Sequence, residues 1–207
     1  MTVSPDNIFY FYNAIVNLIN EDYKYIHCNC IFEKGWELSH AKILYSELKK
    51  IADYLIDNDL YNKIYIKFFN EDYYDLVNEN NNDNWCGGIC KKDEEKTYYA
   101  IKHNGQIFPC IRYMNSSLNG KQPELPIGDI WNNSVELYQT NIDFLSNITR
   151  RSQSTDECFN CPIAAGCAWC SGYNYEEFGT PNKRATYICV MHKAASLANV
   201  YYWNKLY

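Results

Sequence analysis

The sequence predicts an α+β chain, on three observations. Helical stripes and β-rich runs alternate over roughly the first third. An Asn-Gly pair sits between two β-rich flanks at 97–114. Cysteines crowd the later part, four of them inside CFNCPIAAGCAWC (158–170).

Ser4-Pro5-Asp6 reads as a helix start, with Ser at the cap, Pro at the first helical position and Asp at the positive end of the dipole. Ile8, Tyr12, Ile15 and Ile19 continue the stripe, so a helix is expected over about 5–20. Residues 24–33 alternate like a strand. Ser39 opens a second helix striped by Leu44, Leu48, Ile51 and Leu55. KIYIKFF (63–69) is a second strand. The order helix, strand, helix, strand implies βα units with parallel strands. Two such strands cannot close a barrel or cover a parallel sheet on both faces, and 24–33 would be an open edge. Residues 1–77 therefore read as a slice of a larger α/β barrel.

NENNNDNW (78–85) reads as a linker. Beyond it, Asn104-Gly105 predicts a hairpin with a type I′ turn, and Cys110 falls near the end of its second strand. A helix is expected over 134–147. The last, from about Ala185, carries Cys189 in its first turns.

The chain has 207 residues, 47% hydrophobic and 21% charged, enough for one domain or two small ones. A net charge of −6 argues against a general nucleic-acid binder, which needs Lys and Arg to neutralise phosphates. No run of ~18 apolar residues predicts a membrane span, and the opening residues do not resemble a signal peptide. The expected location is the cytoplasm. Ten cysteines in a reducing compartment point to metal or redox chemistry before disulfides.

Eight of them, Cys86, Cys90, Cys110, Cys158, Cys161, Cys167, Cys170 and Cys189, lie in the second part. A 4Fe–4S cluster takes four thiolates, so eight suit two clusters. Zinc is the competitor, since four-cysteine sites also use Cys-x2-Cys pairs. Zinc ribbons hold their two pairs about 15–20 residues apart, whereas only five residues separate Cys161 from Cys167. Spacing thus favours iron–sulfur over zinc, with disulfides or free thiols third. The zinc alternative makes the chain a non-enzymatic peptide- or protein-binding module, with His192, read as an exposed helical histidine, as a possible ligand.

Cys90, fourteen residues, Gly105, four residues, Cys110, then Cys158-x2-Cys161-x5-Cys167-x2-Cys170 and a distant Cys189 resemble the SPASM domain. That domain is the C-terminal extension of many radical S-adenosylmethionine (SAM) enzymes that modify peptides. The wording from CPIAAGCAWC onward, with NCIFEKGW upstream, is most similar to clostridial maturases of peptides with CXXX repeats.

The resemblance makes 1–77 the C-terminal slice of a partial (β/α)6 barrel and 86–207 an auxiliary-cluster SPASM domain with its C-terminal helix. It implies two 4Fe–4S clusters, the first on Cys86, Cys90, Cys110 and Cys170, the second on Cys158, Cys161, Cys167 and Cys189. The expected partner is a ribosomally made Cys-containing precursor peptide, modified for example by a thioether, with the clusters passing electrons and positioning the peptide. Two departures stand out. Ala168-Trp169 gives two residues where the family has three. The SAM-cluster motif Cys-x3-Cys-x2-Cys is absent, since Cys86-x3-Cys90 is followed by Asp93. The chain alone is therefore expected to be inactive, with SAM used only in a complete enzyme; it reads as a fragment, a truncated product, or half of a split enzyme whose SAM-binding half is a separate chain.

Secondary candidates remain. Cys28 and Cys30 share a strand face with Ile26 and Phe32 and read as core thiols. His27 and Asn29, on the opposite face with Tyr25, would point into a barrel lumen and are weak substrate-binding candidates. Arg112 and Tyr113 follow Cys110 and read mainly as hairpin packing. Trp169 and Tyr173 could supply a dry shell around sulfur.

Overall fold

A computed structural model describes residues 1–71, 99–132, 135–146, 148–164 and 166–207. Cys86, Cys90 and the linker at 78–85 lie outside the described residues.

The chain is mixed helix and strand. In order, the elements are β1 (Thr2–Val3), α1 (Phe11–Asn20), β2 (Tyr25–Ile26), β3 (Asn29–Cys30), α2 (Leu38–Asp57) and β4 (Tyr65–Ile66). There follow β5 (Ala100–Ile101), β6 (Gln106–Phe108), α3 (Asn115–Leu118), β7 (Gly128–Asp129), α4 (Gln139–Ser146) and α5 (Arg150–Gln153). The last are α6 (Asp156–Phe159), α7 (Ser171–Phe178) and α8 (Cys189–Leu206). Two compact units emerge, one of Met1–Glu79, Pro162–Ala168 and Thr186–Tyr207, the other of Asn80–Cys161 and Trp169–Ala185. Among the described residues no helix is long and apolar enough to cross a membrane.

In the first unit the strands are parallel, as expected, but 24–33 is not one strand. β2 pairs with β4 (Tyr25↔Tyr65, Ile26↔Ile66), whereas β3 pairs with β1 (Thr2↔Asn29, Val3↔Cys30). The N-terminal segment Thr2–Val3 supplies an edge that its two residues could not announce by periodicity. Side-chain alternation survives the change of partner: Ile26, Cys28 and Cys30 are buried and Tyr25, His27 and Asn29 exposed.

The predicted stripe of α2 (Leu44, Leu48, Ile51 and Leu55) is buried, with Ile8, Phe11 and Ile15 in the same core. α2 begins one residue before Ser39, and Glu37 takes the N-cap, its own N–H bonded to His40 Nδ1 at 3.1 Å. Glu47 is buried on α2, and its carboxylate accepts the Tyr12 N–H at 3.0 Å, satisfying an orphan donor at the start of α1. α8 packs along α2. Tyr201 and Lys205 of α8 both donate to Asp53 of α2, at 2.8 and 2.6 Å.

The second unit holds an antiparallel sheet in the order β5-β6-β7. The hairpin forms at Asn104-Gly105, but not with a type I′ turn. That turn needs positive φ at both central residues; here Gly105 has φ +95° and Asn104 is not in the left-handed region. Gly105 N–H bonds to Lys102 O, and Lys102 N–H to Gln106 O, both at 2.9 Å. This is a turn closed by a left-handed glycine, the three-residue hairpin loop. A Cβ on Gly105 would also lie 2.3 Å from Nε1 of Trp131, so the glycine is needed for approach as well as for φ. Phe108, Tyr113, Leu118, Ile127, Leu145 and Tyr175 form the core.

Candidate metal centre

Cys110 follows β6 and caps the 3-10 turn Ile111–Tyr113. Its Sγ accepts the backbone N–H of Arg112 at 3.5 Å. Cys170 is the N-cap of α7, and its Sγ accepts the Tyr173 N–H at 3.4 Å. Each sulfur thus takes the place that Ser or Thr oxygen holds at ordinary N-caps. The two capped segments are fastened together. Tyr113, three residues after Cys110, donates from its phenol to the hydroxyl of Ser171, the residue after Cys170, at 2.8 Å. A Cβ at Gly172 would sit 2.4 Å from Arg112 Cβ, so only glycine allows this approach. The Arg112 guanidinium lies 5.9 Å from the Tyr173 ring centroid.

Cys158 and Cys161 belong to the second unit. Thr155 caps α6, accepting the Cys158 N–H on Oγ1 at 3.2 Å, and the Cys161 N–H reaches Cys158 O at 3.4 Å. Thr155-Asp156-Glu157 is a cap followed by acidic residues, a helix-start signal legible in the sequence. Cys167 and Cys189 belong to the first unit. The Cys167 N–H bonds to Ala164 O at 3.1 Å, and Cys189 is the first residue of α8.

All the described predicted ligands are half-buried. Among the described residues, no three His, Cys, Asp or Glu side chains gather so as to hold one metal ion. With Cys86 and Cys90 outside the described residues, only two members of the first predicted set can be compared, whereas Cys158, Cys161, Cys167 and Cys189 are all described and no three of them gather. The donor chemistry fits an iron–sulfur group at Cys110 and Cys170. Cluster-bound thiolates are stabilised by N–H···S bonds, and both sulfurs accept one.

Three other groups of residues have defined surroundings. His192 is not exposed: it is 8% accessible, and its Nε2 lies 2.5 Å from Ile163 O. The helix turns this residue inward, which single-residue reading could not foresee. Cys28 and Cys30 are core thiols, 1% and 6% exposed, and burial pushes each up to about 12. His27 and Asn29 are exposed. The His27 ring lies 5.3 Å from that of Tyr65, and Asn29 donates to Cys30 O. No protein-family model and no curated relative matches the chain.

Proposed function

We propose that the chain is the C-terminal, auxiliary-cluster part of a radical SAM/SPASM peptide maturase. One 4Fe–4S cluster is held by Cys86, Cys90, Cys110 and Cys170, the other by Cys158, Cys161, Cys167 and Cys189. The observation that carries this reading is the fastening of two sulfur-capped segments, at Cys110 and Cys170, by Tyr113–Ser171 and the Arg112–Gly172 approach. These two cysteines are 60 positions apart in number, and ordinary packing does not require both to be cysteine.

When bound, the clusters supply one-electron transfer. The residues of this chain hold and tune them. The Arg112 and Tyr173 amides donate to sulfur, and the buried Tyr173 ring with the half-buried Trp169 limits water near Cys170. The parallel pairs in the order strand, helix, strand support the barrel-slice reading of 1–77, with the His27 and Asn29 face turned toward the barrel lumen. The substrate is a Cys-containing precursor peptide in the cytoplasm. Without Cys-x3-Cys-x2-Cys, this chain alone does not cleave SAM.

Anaerobic purification with iron, sulfide and zinc determination tests the reading. It expects about eight iron and eight sulfide per chain with a broad band near ~400 nm. About two zinc and no colour would instead establish the zinc-stabilised binding module. Cys90→Ala and Cys161→Ala should each remove about half the iron, since each removes one ligand of a different four-thiolate set.

A further inference from the structure

Two pairs in the cysteine-dense run have the same spacing, Cys158-x2-Cys161 and Cys167-x2-Cys170. The fold treats them differently. Cys158 lies in α6 and Cys161 just after it, in one unit, and the Cys161 N–H closes on Cys158 O at 3.4 Å. Residues three apart on a helical turn have Cα atoms about 5 Å apart, inside the roughly 4.4–6.8 Å that a disulfide spans. Cys167 instead ends the turn that starts at Ala164, while Cys170 has extended backbone (φ −147°, ψ 113°) and belongs to the other unit. Equal spacing thus yields one pair on a shared turn and one that is not.

The turn that carries Cys158 and Cys161 is held from several sides. Thr155 accepts the Cys158 N–H on Oγ1 at 3.2 Å and the Phe159 N–H on its carbonyl at 2.8 Å. Asp156 O accepts the Asn160 N–H at 3.0 Å and Asn160 Nδ2 at 2.9 Å. Arg150 Nη2 donates to Phe159 O at 2.6 Å, and its guanidinium lies 4.5 Å from the Phe159 ring centroid. Both thiols are free and half-buried, within reach of a small disulfide. Cys28 and Cys30, by contrast, are sealed in a core. Among the described residues no third His, Cys, Asp or Glu side chain gathers with the pair, and a disulfide needs only these two.

We propose that Cys158 and Cys161 are a redox-active dithiol, closed by a low-molecular-weight disulfide such as oxidised glutathione and reopened by its thiol. One thiolate attacks the S–S bond of the oxidant, forming a mixed disulfide and releasing one glutathione. The second thiolate attacks the cysteine sulfur of that mixed disulfide and displaces the other glutathione. The pair loses two electrons and two protons, and the oxidant takes them up as two thiols. Bridge and metal compete for the same sulfurs, so oxidation withholds both from any metal. The pairing itself does not depend on the iron–sulfur reading above.

The test equilibrates the full, metal-free chain with graded ratios of reduced to oxidised glutathione. Remaining thiols are trapped with N-ethylmaleimide and bridges are mapped by tandem mass spectrometry. The Cys158–Cys161 bridge should form at a more reducing ratio than any Cys167–Cys170 bridge, whereas in urea the two equally spaced pairs should oxidise together. Cys161→Ser should stop at the glutathione adduct of Cys158, and Cys158→Ser at that of Cys161, with Cys167→Ser like wild type. If one serine variant does not fold, as read by circular dichroism, the other and the wild-type map decide. A Cys167–Cys170 bridge that forms first, the same preference in urea, or complete maleimide labelling of Cys158 and Cys161 at the most oxidising ratio would overturn the proposal. Iron and sulfide are counted separately on anaerobically purified wild type. Their absence sinks the functional reading and leaves the dithiol result standing.

Discussion

The Tyr113 phenol donates a 2.8 Å hydrogen bond to the Ser171 hydroxyl, and both side chains are buried. The bond joins two segments that each begin with a sulfur-capped turn. Tyr113→Phe and Ser171→Ala should each cost about 1–3 kcal/mol, since each removes one partner of a buried hydrogen bond. A double-mutant cycle by urea unfolding should show coupling of about 0.5 kcal/mol or more. Additive losses would show that the bond does not fasten the two segments.

Gly105 is held at φ +95° under the Trp131 ring. Gly105→Ala should destabilise by about 1–2 kcal/mol from the backbone alone, with a further loss from displacing the indole. Combining it with Trp131→Ala should recover only the second part. Full recovery in thermal melts would mean that φ contributes nothing.

Cys28 and Cys30 are buried neutral thiols whose folded values are raised to about 12. Burial is the main cause; at Cys30 the neighbouring Cys28 adds to it, while at Cys28 the N-terminal amine, Lys67 and the Phe68 backbone oppose it. A raised folded value contributes stability that is complete below the unfolded value, ~8.5, and is lost as pH rises toward about 12. Stability should therefore fall between about pH 9 and 12, and Cys28→Ala should flatten that decline. Iodoacetamide at pH 8 should label the half-buried Cys158 and Cys189 of metal-free protein and leave Cys28 and Cys30 untouched until urea is added. Mass spectrometry of the peptides decides it.

Asp53 joins α2 to α8 through Tyr201 and Lys205. Burial pushes its carboxyl up, but hydrogen bonds from Lys205 and Tyr201 outweigh burial and hold it below the usual carboxylate range. A lowered folded value gives stability present above the unfolded value, ~3.9, and lost as pH falls through the folded one. Asp53→Asn should thus lower the melting temperature slightly at neutral pH, and the difference should shrink in acid and in high salt. An equal difference at pH 2 and pH 7 would contradict the charged pairing.

Much of this was legible because it is local. The stripe Leu44, Leu48, Ile51, Leu55 and the alternation Ile26, Cys28, Cys30 follow from the 3.6 and 2.0 periods, so their burial could be read without a partner in view. The candidate site was legible only at its cysteines. Ser171 and Gly172 carry no motif, and their placement comes from what they touch.

The sequence by itself determined which residues face a core, where the hairpin turns, and that Cys189 lies near the start of the last helix, since neighbours a few positions apart decide each. Tertiary structure alone decided the rest. It divided 24–33 between two parallel partners, because pairing depends on which strands arrive beside it. It replaced the expected type I′ turn with a glycine-closed loop, because the register Ile101↔Ile107 leaves room for a third loop residue. It returned α8 to the unit that contains α2, turned His192 inward, and brought Arg150 onto Phe159. Those contacts join positions whose spacing has no period, so no local pattern records them.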